Sequence, residues 1–165
     1  MTTQLQGWRT TTHRGEDGAV RSEQRALASR PIVDESVEGA AELARSYWIA
    51  LERVSFLARV IGPPGRVRIR ALRFGPVLLE FGDPEVTVAD GTVAARYPIA
   101  GGLLARRPAG TITFSQVRTD AGWEIRSTVA GFRPMLPSVL YEQIQRRVHV
   151  AVGRRYVRTL LRRAA

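Results

Sequence analysis

Polar side chains that could contact a ligand alternate with apolar ones between residues 92 and 132. Tyr97, Gln116, Trp123 and Ser127 each stand two residues from an apolar neighbour, a spacing that places them on the apolar face of a β-strand. That face comprises Val93, Ala95, Tyr97 and Ile99, then Ile112, Phe114 and Gln116, then Trp123, Ile125, Ser127 and Val129. A few polar groups converging in an apolar pocket suit a small ligand. The alternative is an ordinary core whose polar atoms are hydrogen-bonded within the chain.

The chain has two histidines and no cysteine, which limits the chemistry that it can perform. His149 falls on the polar side of a long helix, where it would be either a general base or an exposed surface residue. A metal site would need clustered carboxylates, which are absent, so we predict no metal and no cofactor. The chain also lacks a phosphate-cradling glycine motif and a G-x-S-x-G turn, and the catalytic residues of any reaction are unknown.

The protein is strongly basic, with a formal net charge of +10, and all 25 of its basic residues are arginine. Lysine and asparagine, both absent, have A-rich codons. A GC-rich genome therefore explains the bias without selection for binding, and we do not predict nucleic acid as the partner. The densest positive charge lies on the last helix, which would either contact an acidic partner or remain a solvated face. It comprises Arg154, Arg155, Arg158 and Arg162.

A long helix is predicted to close the chain, from Ser138, a suitable N-cap, to Arg163. In its first half one face holds Leu140, Ile144, Val148 and Ala151, and after Gly153 the apolar face shifts to Tyr156, Val157, Leu160 and Leu161. Because one straight stripe does not serve both halves, we predict a bend at Gly153. The first half would cover a sheet, and the second would pack on the N-terminal helix or on a second subunit.

The rest of the chain predicts a tail followed by one α+β domain. Residues 1–27 are polar and aperiodic, which predicts a flexible tail, and residues 28–165 form a single domain. An edge strand is predicted at 28–34 and an amphipathic helix at 37–53, whereas 54–61 fit either helix or strand. Turn signals then define about six antiparallel strands. These are 66–74, 76–82, 85–90, 92–99, 111–118 and 122–132, with a further strand signal at 103–107.

The last hairpin, running through GFRPMLP (131–137) into the terminal helix, resembles the SRPBCC superfamily. These are the START-like and pollen-allergen-like helix-grip proteins, which include polyketide cyclases, and the resemblance spans residues 28–163. It implies a curved antiparallel sheet of about six to seven strands that grips the C-terminal helix, together with an N-terminal helix. It also implies an apolar cavity between the sheet and the C-terminal helix. The ligand contacts expected on that geometry are Tyr97, Phe114, Gln116, Trp123, Ser127 and Ile144.

Two functions follow as hypotheses. The first is binding of a small apolar or aromatic ligand, for which the resemblance implies lipid-like, hormone-like or polyketide-like molecules, with cyclase or dehydrase turnover left open. The second is a non-enzymatic module whose Arg-rich helix contacts an acidic protein, a membrane surface or nucleic acid, and a homodimer through the end of that helix is also considered. No apolar run is long enough to span a bilayer and no secretory signal is visible, so we expect a cytoplasmic protein.

Overall fold

An antiparallel sheet and two helices make up the described part of the chain. The computed structural model describes residues 6–55, 57–63 and 65–164, without the side chains of 6–7, 138–146 and 161–164. The strands are β1 (Gln6–Arg14), β2 (Val20–Ala28), β3 (Ala58–Ile61), β4 (Arg68–Ala71), β5 (Val77–Phe81), β6 (Glu85–Ala89), β7 (Thr92–Gly101), β8 (Thr111–Thr119) and β9 (Gly122–Phe132), and the helices are α1 (Val37–Val54) and α2 (Ser138–Ala164). Neither helix, as far as it is described, is long and apolar enough to cross a bilayer.

The strands follow the order β1-β2-β9-β8-β7-β5-β4-β3, with β6 paired to the first half of β7. Strand β2, near the start of the chain, pairs with β9, the last strand, through registers such as Val20↔Phe132 and Ala28↔Trp123. The predicted fold class, an α+β domain with an antiparallel sheet, an N-terminal helix and a long C-terminal helix, is confirmed. The described sheet has nine strands, which is more than the six to seven expected.

The extra strands come from the segment predicted as a flexible tail, and that prediction is wrong for residues 6–27; residues 1–5 lie outside the described part. β1 and β2 form an antiparallel hairpin on the β9 side of the sheet. Every second residue of β2 is buried, but two of these residues are Ser22 and Gln24. Because the inward positions are partly polar, the sequence shows no apolar alternation there. The strand predicted at 28–34 is also wrong, since β2 ends at Ala28 and residues 29–36 connect it to α1.

Most of the remaining elements agree with the sequence pattern. The predicted helix 37–53 is α1, where the Ser36 hydroxyl accepts a hydrogen bond from the Gly39 amide at 2.9 Å and so caps the first turn. The ambiguous segment 54–61 becomes strand β3 from Ala58. Asp90 and Gly91 have φ angles of 50° and 75°, as a two-residue hairpin turn requires. The strand signal at 103–107 yields only an isolated bridge from Ala105.

The sheet is strongly curved. Thr10 on β1 and Ile69 on β4 are six strands apart in the sheet order, yet both line one cavity. In a flat sheet that separation would be roughly 29 Å, at about 4.8 Å per strand. Shifts of register in the β1–β2, β2–β9, β4–β5 and β5–β7 pairs mark bulges or irregularities, which increase local twist. The strands therefore wrap around the side chains of α1 and α2.

Helix α2 approaches strand β2 closely at Gly153. A Cβ at this position would collide with the Gln24 side-chain amide, and Gln24 Nε2 donates to the His149 carbonyl oxygen at 2.7 Å. A close contact between helix and strand thus explains the glycine, since glycine commonly occurs where two segments approach closely.

The apolar face of α2 continues through Gly153 in the described side chains. Val152, Tyr156, Val157 and Leu160 are all buried. The predicted face of the first half is wrong at Ala151, which is exposed, whereas Val148 lines the cavity. His149 and Gly153 belong to the inward face although neither is apolar, and the side chains of Leu140 and Ile144 lie outside the described part.

The apolar stripe considered as a dimer contact at the end of α2 is buried within the chain in its described part. Tyr156 lies with its ring 5.5 Å from Tyr47 of α1 and 6.1 Å from Phe114 of β8. Val157 and Leu160 are buried in the same chain, and the Leu161 side chain lies outside the described part. The apolar stripe is therefore already covered by the chain itself, mainly through the contact between α1 and α2.

Substituting Gly153 tests this close approach. Gly153→Ala should lower the free energy of unfolding by about 1–3 kcal/mol, because the methyl group displaces a buried amide. In a Gln24→Ala background the same change should be neutral or stabilising by up to about 1 kcal/mol, since alanine favours helix. Urea denaturation of the four variants of this cycle measures the coupling. Additive effects of the two substitutions would contradict the contact.

A candidate ligand cavity

A cavity of about 300 Å³ lies between the curved sheet and the two helices. Its wall is mainly apolar, and it includes residues from most strands. The apolar wall comprises Trp48 and Leu51 of α1, Ala58, Ile69, Leu78, Leu79, Phe81, Ile99, Ile112, Val129 and Phe132 of the sheet, Leu104 and Leu136 of two loops, and Val148, Val150 and Val152 of α2. A volume of this size is at the lower end of the range for small-molecule sites.

Polar side chains gather where β1 and β2 meet α2. Thr12 and Ser22 are cross-strand partners whose hydroxyl oxygens lie 3.1 Å apart, and both line the cavity. Thr10, which also lines it, is the cross-strand partner of Gln24, and Gln24 bonds the backbone of His149. The register of one hairpin and one helix contact therefore bring three hydroxyls and an imidazole to the same part of the wall.

His149 is neutral at physiological pH. Burial disfavours its charged form and lowers its pKa from 6.5 to about 4. Its Nε2 atom is buried without a hydrogen-bond partner among the described residues, as is the Thr10 hydroxyl. A neutral imidazole has one donor and one acceptor nitrogen. His149 can therefore donate a hydrogen bond to a hydroxyl group or accept one from it.

No described residue of the cavity wall is an arginine, an aspartate or a glutamate. The one phenol on the wall, Tyr47, has a pKa that burial raises, so it stays protonated and acts as a hydrogen-bond donor. Clusters of three or more His, Asp or Glu side chains that could hold a metal are absent from the described residues. The wall therefore offers hydrogen bonds and apolar contact, and it offers no charge at neutral pH.

Tyr97 and Phe114, predicted as ligand contacts, lie outside the cavity wall in an aromatic cluster. The Phe114 ring is 4.6 Å from Tyr47 and 5.4 Å from Trp48, and Trp48 is 5.7 Å from Tyr97. Such edge and tilted contacts are favourable between rings, and they fill the space beneath this part of α1. Burial raises the pKa of Tyr97, so its phenol is also neutral.

Gln116, another predicted contact, is occupied by the chain itself. Its Oε1 accepts hydrogen bonds from the Ile32 and Val33 amides at 2.7 and 3.1 Å, and its Nε2 donates to the Val33 carbonyl at 2.8 Å. This buried amide ties the β2–α1 connection to β8.

The other predicted site residues are also away from the wall or cannot be placed. Ser127 is buried on β9, with a hydroxyl that lacks a partner in the described part of the chain. Trp123 is half-buried, and the Arg118 guanidinium lies 6.0 Å from its ring. The Ile144 side chain lies outside the described residues. We therefore place the candidate site at the cavity described above, which shares the inward sheet face with the predicted residues.

Several wall residues were missed by sequence reasoning, although a weak signal exists for one of them. His149 stands three and seven residues before Val152 and Tyr156, a spacing that puts it on their helix face. Ser22 is buried between less buried neighbours in β2, whereas Thr10 is half-buried and Thr12 is exposed. Threonine and serine do not register as apolar in a period-two pattern, so the pattern carries no signal for these positions.

The arginines of α2 are on the opposite side of the helix from the cavity. Arg154, Arg155 and Arg158 are exposed, and no salt bridge within the described residues involves them. The Arg162 side chain lies outside the described part. These three guanidinium groups remain available for an acidic partner.

Removing His149 should change how stability depends on pH. Because the pKa of His149 is about 4 in the folded chain and histidine ordinarily has a pKa of 6.5, the unfolded chain binds more protons between these pH values. The free energy of unfolding therefore falls as the pH drops through this window. His149→Gln removes this titration, so the melting temperature should fall less steeply between pH 6.5 and 4.

Thermal melts followed by circular dichroism measure this slope, and His13→Gln, which removes the exposed histidine of β1, is the matched control. A slope unchanged by His149→Gln would contradict a buried, neutral imidazole at the cavity.

Comparison with known proteins finds a likeness in structure at low sequence identity. No family model matches the chain, and no curated protein matches it. Among solved structures, the crystal structure of Ara h 8.0201 is similar at 14% sequence identity, over 93% of this chain and 99% of that chain, with a TM-score of 0.43.

Proposed function

We propose that the protein binds a small, neutral, largely apolar molecule in the cavity between the sheet and α2. The observation that carries this proposal is a space of about 300 Å³ whose described wall has no charged side chain, in a protein with 25 arginines. Sites for small organic ligands combine such an apolar wall with a few polar groups that fix orientation.

The polar part of the wall supports a ligand with a hydroxyl or phenol group. Thr10 and His149 each have a buried polar atom without a partner among the described residues, and leaving such atoms unpaired costs about 1–3 kcal/mol each. Both atoms are turned away from the open space, so a ligand hydroxyl would recover part of that free energy once a side-chain rotation turns either atom toward the cavity. The rest of the molecule would contact side chains such as Ile99, Ile112 and Val129.

The absence of a counter-charge on the described wall argues against a carboxylate or ammonium ligand. Moving an ion from water into an apolar environment without a partner is far more costly than moving a hydroxyl group. Protonation of His149 would not offset this cost readily, because its pKa is about 4.

The proposal is for binding, without turnover. A cyclase- or dehydrase-like reaction needs a proton acceptor beside the substrate. In the described wall the candidate is His149, and Tyr47 remains protonated because burial raises its pKa. No described hydrogen bond joins His149's ring to an orienting carboxylate, which a histidine base commonly uses.

Filling the cavity tests the proposal. Val129→Trp places a larger ring in the wall and should raise the Kd for N-phenylnaphthylamine, a neutral fluorescent probe, at least about tenfold. Val88→Trp, at an exposed position of β6, is the control and should leave the Kd unchanged. Fluorescence titration gives the Kd, and thermal melts confirm that both variants fold. A probe that does not bind, or binds both variants equally, would remove the cavity as the binding site.

Ligand charge provides an independent test. Naphthol should bind at least about tenfold more tightly than naphthoate at neutral pH, because the carboxylate would be buried without a counter-charge. Naphthalene serves as the reference for the shared rings, and competition with N-phenylnaphthylamine reports all three affinities. Tighter binding of naphthoate would indicate a cation at the site and would contradict a neutral ligand.

A second candidate function is an interaction through the α2 arginines, favoured by the exposure of Arg154, Arg155 and Arg158 without described salt bridges. An acidic partner bound there would dissociate steeply between about 50 and 200 mM salt. Apolar ligand binding in the cavity would change little over that range, so salt titration separates the two functions.

A further inference from the structure

Five large apolar side chains are exposed together at one end of the sheet. Phe74 is 87% exposed, and Leu57, Leu72, Leu103 and Met135 are each about half exposed. We call these five residues the apolar end patch. Single exposed apolar residues are common on protein surfaces, but clusters indicate an interaction site.

Backbone hydrogen bonds hold the segments of the apolar end patch side by side. The Leu72 amide donates to the Leu57 carbonyl at 2.6 Å, and the Leu103 amide donates to the Val77 carbonyl at 3.1 Å. Phe74 lies in the β4–β5 turn between Leu72 and Val77. The patch is therefore formed by adjoining turns and loops, and it does not depend on one long flexible segment.

Met135 belongs to the same end, since its amide donates to the Leu104 carbonyl at 3.0 Å. The other exposed large apolar residues of the described part lie elsewhere, and one of them, Val37, is the first residue of α1. Val86 and Val88 are on β6, which pairs with the opposite half of β7 from β5.

The apolar end patch is surrounded by positive charge. Arg59, Arg73, Arg106 and Arg107 are exposed in the same segments, and residues 57–60, 70–79 and 102–107 include no aspartate or glutamate. The Arg73 guanidinium lies 5.5 Å from the Phe74 ring. A carboxylate that does reach these segments, Glu52 of α1, accepts a hydrogen bond from the Val60 amide at 2.8 Å.

We infer that the apolar end patch docks on an anionic lipid surface. Exposed apolar side chains on turns, flanked by cations, match the two layers of a membrane boundary. The apolar groups enter the region between headgroups and acyl chains, and the arginines meet lipid phosphates. The patch projects from several turns and loops, which favours a surface that deforms around it.

The position of the patch relates docking to the cavity. Ala58, Leu78, Leu104 and Leu136 line the cavity, and three of them directly follow patch residues Leu57, Leu103 and Met135 in the chain. Docking would bring this part of the apolar wall close to the bilayer, which is a reservoir of neutral apolar molecules. The docking itself does not depend on the cavity being filled.

Vesicle binding of the full-length chain tests the inference. The protein should co-sediment with phosphatidylcholine vesicles that contain about 30% phosphatidylglycerol, and much less with phosphatidylcholine alone. Phe74→Ser combined with Leu103→Ser should reduce the partition coefficient at least about tenfold, since two apolar side chains no longer enter the lipid. Val86→Ser combined with Val88→Ser, the matched control, should leave it unchanged.

Other outcomes would overturn the inference. These are no binding to the anionic vesicles, equal binding by the Phe74/Leu103 variant, or loss of binding only when Arg154 and Arg158 are changed to glutamine. Sedimentation velocity adds a further check. If the protein does not bind vesicles and forms a dimer that Phe74→Ser abolishes, the patch is a contact with a second copy of this chain. Unchanged N-phenylnaphthylamine binding shows that the patch variant still folds and separates docking from ligand binding.

Discussion

The contact between Gly153 and Gln24 determines how close the C-terminal helix comes to the sheet. At this point the helix has no side chain, and the strand presents an amide that also bonds the His149 carbonyl oxygen. The aromatic rings of Tyr47, Phe114 and Tyr156 fill the neighbouring space. Elsewhere the wall consists largely of aliphatic side chains that do not meet across the gap, and the cavity remains there. One close contact and one aromatic cluster thus leave a defined open volume.

The distribution of charge fits this arrangement. The chain carries an excess of arginine, and guanidinium groups cannot be deprotonated inside a protein. An apolar interior must therefore exclude them, and the described wall obtains its polarity from threonine, serine, tyrosine and a neutral histidine. The same composition leaves the exterior rich in positive charge, both along α2 and around the apolar end patch.

Sequence patterns predicted the fold well where inward residues are apolar and poorly where they are not. Helix α1 and strands β5 to β9 followed from apolar periodicity and from turn signals such as Asp90-Gly91. The β1–β2 hairpin did not, because Ser22 and Gln24 face inward. Periodicity assigns a residue to a face from its neighbours in the sequence. It therefore cannot detect a polar side chain whose hydrogen-bond partner lies on a helix far along the chain.

The candidate site was predicted at the level of the sheet face but not at the level of residues. Phe114 and Ile112 are two residues apart on β8 and both point inward, yet Phe114 packs against rings and Ile112 lines the cavity. Which inward residue meets open space depends on what α1 and α2 place opposite it. That information is in the three-dimensional packing of four or more segments, and no local pattern contains it.

Strand β1 has a consequence for how this protein can be shortened. It covers the hydrogen-bonding edge of β2 along most of its length and supplies Thr10 and Thr12 to the cavity wall. Because β1 is the end strand of the sheet order, cleavage before Val20 would transfer the unpaired edge from β1 to β2, beside the cavity. The same cut would remove Thr10 and Thr12 from the wall, so strand addition by another chain and entry of water would begin at the same place.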